Sequence, residues 1–160
     1  MNISSERGVS LLITFLIVSV MLSIVLGLSV ILFSEIKIVG NVGSSVTAYY
    51  AGESGVEKTL YFDQKQIPSG ATHGLCNICT SCTSSDCTSC TATALASGGC
   101  NTTTCNNCEV KYTSTFGSAT YNVDATIVPQ SQGSSVLVLT IDAKGFYKDS
   151  ARVVEVSSAQ

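Results

Sequence analysis

Along this chain the spacing of apolar positions changes three times, and each change marks an element. Residues 8–34 read GVSLLITFLIVSVMLSIVLGLSVILFS, with no charge between Arg7 and Glu35. About 20 apolar residues suffice to cross the hydrocarbon of a bilayer as a helix, and no proline interrupts the run. A backbone in lipid must satisfy its own hydrogen bonds, so residues 9–34 are predicted to be a transmembrane helix. From Glu35 onward the helical period persists but becomes amphipathic. Val39, Val42, Val46, Tyr49, Val56 and Leu60 step by threes and fours along one face, with Ser44, Thr47, Lys58 and several glycines on the other. The pattern predicts one helix from about Val9 to Phe62, with its amphipathic half in residues 35–67. Pro68-Ser69-Gly70 marks its end. Gly27, Gly40, Gly43, Gly52 and Gly55 each cost roughly 1 kcal/mol relative to Ala and read as points where it could bend or melt.

Residues 68–108 have no clear period and few large apolar residues, so they are expected to need crosslinks to become ordered. After them the period becomes two. Val110, Tyr112 and Ser114 alternate with polar residues, as do Tyr121, Val123, Ala125 and Ile127 up to Pro129. A turn at Gln132-Gly133-Ser134 precedes a strand from Val136 to Ala143. A turn at Lys148-Asp149-Ser150 precedes a last strand from Ala151 to Val156. Four strands joined by short turns over residues 109–157 predict an antiparallel β-meander, whose apolar face the amphipathic half-helix would cover. The fold class expected is therefore α+β: a long N-terminal helix on a C-terminal meander, with a cysteine-rich insertion. Glu53 falls inside the apolar stripe, between Tyr49 and Val56. A carboxylate there calls for a partner from the sheet or the cysteine loop, or for an edge that the sheet leaves uncovered.

Composition narrows the functional classes. The 160 residues carry a net charge of −3, and only 12% are charged. With no basic cluster, nothing favours nucleic acid as a partner. The leader MNISSERG is followed by an apolar run too long for a secretory signal, and no small-residue cleavage site follows the run. No cysteine sits where a lipoprotein would be lipidated. Arg7 on the short side favours a cytoplasmic N-terminus, with Lys37 weakening the asymmetry. Inside the span, Ser19, Ser23 and Gly27 form a stripe of small residues of the kind that lets another helix approach.

All eight cysteines fall within residues 76–108: Cys76, Cys79, Cys82, Cys87, Cys90, Cys100, Cys105 and Cys108. An even count, an extracytoplasmic side and a segment without its own core favour four disulfides, whose pairing the spacing does not reveal. The second reading is a zinc or iron–sulfur site built on the CxxC units, although the fourth spacing departs from the ferredoxin run and no proline follows it. No metal site and no cofactor is assigned. His73, the single histidine, has no partner motif and is expected to be a solvated loop residue. No nucleophile triad, carboxylate dyad or phosphate loop is present, so an enzyme is not expected. Asn101-Thr102-Thr103 matches the glycan-acceptor pattern.

These features together resemble the type IV pilins and pseudopilins. The residues that carry the likeness are the charged leader ending in Gly8 at the apolar run, and the unbroken passage into an amphipathic helix containing AYYAGESGVEKTLY. The late meander, with Gly145-Phe146-Tyr147 and the strand from Arg152 to Val156, adds a looser match. The resemblance implies cleavage between Gly8 and Val9 by a membrane prepilin peptidase and N-methylation of Val9. It further implies passage from the membrane into a helical filament with other pilin subunits and the assembly machinery. Pilins usually carry Glu at the fifth mature position, where this chain has Ile13. That departure favours a minor, low-abundance subunit. The competing class is an uncleaved single-pass membrane protein that presents a cysteine-rich binding or redox domain outside the cell.

Overall fold

The computed structural model describes residues 4–82, 87–131 and 133–159, with only the backbone of residues 4–8. The chain divides into two compact units, Met1–Val42 and Gly43–Gln160. One helix, α1 (Ser4–Lys65), runs through the boundary between them without interruption. It begins within the leader rather than at Val9. None of the five glycines breaks it, because each peptide unit in a helix interior keeps its hydrogen bond whatever the side chain.

The first unit is the apolar part of α1. The helix is long and apolar enough to cross a membrane, and none of its most apolar window is buried in protein. Leu11, Phe15, Leu22, Leu28 and Phe33 are all more than half exposed. A surface of this kind on a helix suggests insertion into a membrane.

The second unit is an α+β layer. Five strands, β1 (Thr88–Ala94), β2 (Cys108–Phe116), β3 (Ala119–Pro129), β4 (Leu137–Tyr147) and β5 (Ser150–Ala159), pair antiparallel in sequence order. The meander therefore has one strand more than the period-two pattern predicts. β1 lies inside the cysteine-rich segment, where its Thr, Ser and Ala residues give no apolar alternation to read. Two-residue turns set the register between β2 and β3 and between β4 and β5. Gly117 supplies the positive φ that opens the first. The turn expected at residues 132–134 includes Gln132, which lies outside the described residues. β4 starts at Leu137 and leaves Val136 in the loop.

Alternation along the strands sends Val110, Tyr112, Tyr121, Val123, Ala125, Ile127, Leu139, Ile141 and Ala143 into one core beneath the helix. Two further plugs come from the segment expected to lack a core. Leu75, in a single 3₁₀ turn (Leu75–Asn77), and Ile78, at the start of the short helix α2 (Ile78–Ser81), are fully buried. Burying each such side chain stabilises by about 1.5–3 kcal/mol. The segment is thus held by burial as well as by crosslinks.

Candidate functional site

The helix meets the sheet through its smallest residues. Ala48, Ala51, Gly52, Gly55, Val56, Thr59 and Asp63 are buried, while Val39, Val42, Val46 and Tyr49 are exposed. This corrects the predicted packing face, on which only Val56 and Leu60 turn inward. The reason is shape. The sheet already presents Tyr112, Tyr121 and the branched residues of β3 and β4, so close approach needs a helix face without bulk. A Cβ on Gly55 would lie 2.8 Å from Tyr121 Cδ2 and 2.9 Å from Val123 Cγ2. On Gly52 it would lie 3.1 Å from the carbonyl oxygen of Ala143, and on Gly145 it would fall on that of Ala48.

Polar contacts fix this seam. The Tyr112 hydroxyl donates to the carbonyl oxygen of Gly55 at 3.2 Å and lies 2.9 Å from Thr59 Oγ1. Burial pushes the Tyr112 phenol well above its ordinary range, against the smaller opposing effect of the Thr59 hydrogen bond. Lys58, expected on the outer face, is half-buried. Its ammonium sits 5.9 Å from the Tyr112 ring centroid and donates to Ser114 Oγ at 3.4 Å. At the other end of the seam, Arg152 Nε donates to Ser45 Oγ at 2.6 Å. Glu53 is partly buried, and its side chain makes no hydrogen bond or ion pair among the described residues. The expected partner from the sheet or the cysteine loop is not found among the described residues.

The last turns of α1 anchor the cysteine-rich segment. Asp63 is buried, with its carboxylate accepting from the backbone N–H of Leu75 at 3.3 Å and lying 3.4 Å from His73 Nδ1. Its backbone carbonyl accepts from Gly74 N at 3.0 Å. His73 is therefore not a solvated loop residue, because its side chain is only 11% exposed and faces a carboxylate. The pair comes from residues ten apart across a helix end, a juxtaposition without a spacing rule that would reveal it.

All eight cysteines are paired: Cys76 with Cys105, Cys79 with Cys90, Cys82 with Cys87, and Cys100 with Cys108. The sulfurs of Cys76, Cys100 and Cys108 lie within 4.8 Å of one another, yet each belongs to a disulfide and none offers a thiolate. Cys76–Cys105 is the long-range bridge, tying the buried turn after α1 to the chain just before β2.

The residues singled out in the apolar unit lie on its open surface. Ser19 Oγ donates to the carbonyl oxygen of Leu16 and Ser23 Oγ to that of Ser19, both at 2.9 Å, and a Cβ on Gly27 would meet nothing within 4 Å. With their donors used inside the helix, the serines leave a smooth strip free for another helix. Val9 is exposed and Ile13 is half-exposed. Thr14 Oγ1 donates to the carbonyl oxygen of Leu11 at 2.9 Å, which leaves its lone pairs able to accept.

On the sheet face away from α1, a depression of about 610 Å³ is lined by Lys111, Asn122, Asp124, Asp142 and Lys144 among others. Lys111 bridges Glu109 at 2.9 Å and Asp124 at 3.0 Å, and these hydrogen bonds raise its ammonium pKa above the usual value. Among the described residues Asp142 and Lys144 make no ion pair, the Lys144 ammonium lies over the Phe146 ring, and Asp124 Oδ1 is buried without a hydrogen-bond partner. Compared with protein-family models, curated proteins and solved structures, the chain gives no match.

Proposed function

We infer that the protein is a type IV pilin-like structural subunit of a surface filament or secretion pseudopilus, processed after Gly8. The observation that supports this reading most is α1 itself. A single helix starts in a charged leader, carries an uncharged run of exposed aliphatic residues, and then lies on a disulfide-braced sheet. A static membrane anchor needs no structured link between span and domain. A subunit that is to leave the membrane and pack in a filament does, because the span must be passed from lipid to neighbouring helices without meeting water.

Ile13 makes the subunit a minor one. After cleavage, Val9 would carry a charged amine among apolar helices, at a cost of several kcal/mol if unpaired. Glu35 is the first carboxylate after Gly8, too far along the helix to serve a neighbour without a steep axial offset. Mixed with a Glu-bearing subunit, this chain can be received but cannot receive another in the same way. A filament tip asks for only that one contact.

The test is intact-mass measurement of the protein from its native cells. Loss of residues 1–8 with one added methyl is expected, and Met1 on the mature chain would overturn the reading in favour of an uncleaved membrane protein. Quantitative proteomics of sheared filaments addresses abundance. A few copies per filament are expected, and parity with the most abundant subunit would remove the minor role.

A further inference from the structure

We propose that Asn101 is an acceptor for N-linked glycan, transferred from a lipid-linked oligosaccharide on the extracytoplasmic side of the membrane. Asn101-Thr102-Thr103 is the one N-x-S/T match beyond the apolar run, since Asn41, Asn77, Asn106, Asn107 and Asn122 all lack a hydroxyl residue two positions on. A pattern this short arises by chance in Thr-rich sequence. What distinguishes this copy is its presentation.

Residues 101–104 form a turn whose four side chains are all exposed, held at its base by two disulfides through Cys100 and Cys105. The Asn101 carboxamide oxygen accepts from Thr103 N at 3.1 Å and from Thr103 Oγ1 at 2.8 Å. Both acceptances fall on oxygen, and among the described residues the carboxamide nitrogen donates to nothing. The rotamer is thereby fixed and the nucleophilic atom left toward solvent. The backbone of the turn is satisfied internally: Thr104 N and Cys105 N both donate to the carbonyl oxygen of Asn101. A bulky substituent on Nδ2 would displace no packed side chain and break neither hydrogen bond to the oxygen.

In the transfer, a bond forms between Asn101 Nδ2 and the anomeric carbon of the donor sugar. The bond from that carbon to the lipid phosphate oxygen breaks, the lipid phosphate leaves with the electron pair, and one Nδ2 proton passes to a base of the transferase. A hydrophilic glycan at this site would cover the exposed turn of a domain that otherwise carries few charges.

The inference rests on the extracytoplasmic placement that the filament reading gives this segment. Its test is mass spectrometry of protein from native cells, with fragmentation that keeps the glycan on its peptide. The expected result is a sugar mass on Asn101, lost in both Asn101→Gln and Thr103→Ala and retained in Thr103→Ser. Finding Asn101 only unmodified, or the sugar on the hydroxyl of Thr102, Thr103 or Thr104, overturns the inference. Thiol counting on each variant checks that the four disulfides have formed, so loss of the glycan is not loss of the fold. The same intact-mass spectrum reads the N-terminus. A processed, methylated but sugar-free chain would sink this inference alone, and a retained Met1 would sink the filament reading alone.

Discussion

The two halves of α1 use one secondary structure for opposite purposes. Up to Val42 the helix carries its bulk outward, with Leu, Ile, Val and Phe around its circumference, each at least half exposed among the described residues. From Gly43 the buried residues are mostly Ala, Gly and Thr, with Val56 and Asp63, and most of the bulk belongs to the sheet they touch. The first half is thus built to be surrounded by something apolar. The second has already found its partner, through close approach rather than burial of large side chains. A glycine is therefore a different object in each half. At Gly27 and Gly40 a Cβ would meet nothing within 4 Å, while at Gly55 it would strike an aromatic ring.

The sharpest way to break this contrast is Gly145→Val. Its side chain would have to occupy the place of the Ala48 carbonyl, which is helix backbone and cannot rotate away. A loss of about 3 kcal/mol or more is expected, enough to prevent folding of the sheet unit, read by denaturant titration of the full chain in detergent. Next comes replacement of both Cys76 and Cys105 by Ser. Releasing the bridge that binds the turn after α1 to the start of β2 should cost about 3 kcal/mol, with the helical signal of the apolar half unchanged. Gly55→Ala against Gly40→Ala compares the halves directly. The first should lose about 1–2 kcal/mol, because overpacking against Tyr121 outweighs the gain in helix propensity. The second should gain up to about 1 kcal/mol, and equal effects at the two sites would refute the contrast.

Tyr112→Phe is subtler. It removes the hydroxyl shared by Gly55 and Thr59, at about 1 kcal/mol near neutral pH. It also tests the titration. The folded-state pKa of Tyr112 is raised, so this group's contribution is fully present below the unfolded tyrosine pKa, about 10. As pH rises above that value the unfolded chain loses the proton while the folded chain keeps it, and stability falls. The wild-type protein should show this alkaline loss, and the variant should show less of it. The smallest effect belongs to Glu53→Gln, expected within about 0.5 kcal/mol because the carboxylate keeps some exposure and has no partner among the described residues. A larger loss would mean that the Glu53 carboxylate has a partner after all.

Some of this architecture could be read from the residues alone, because it depends on period and composition. An uncharged run of this length is helical in any apolar surroundings, the period-two stretches are strands, and eight cysteines in a core-poor segment pair with one another. Gly8 beside the run and Asn101 before two threonines are likewise local, visible without coordinates. Other features were decided only when distant residues met. The pattern of large apolar residues along α1 singles out Val46 and Tyr49, yet the sheet's own tyrosines and branched residues fill the space, so the inward face became the one lined mostly by small residues. The four disulfide partners, the pairing of β1 with β2, and the seat of His73 on Asp63 follow from which surfaces fold together. Hydropathy measures the tendency to leave water, and that tendency is local. Which face then fits which is a matter of volume and backbone approach, set by the neighbour, and no single stretch of this chain contains it.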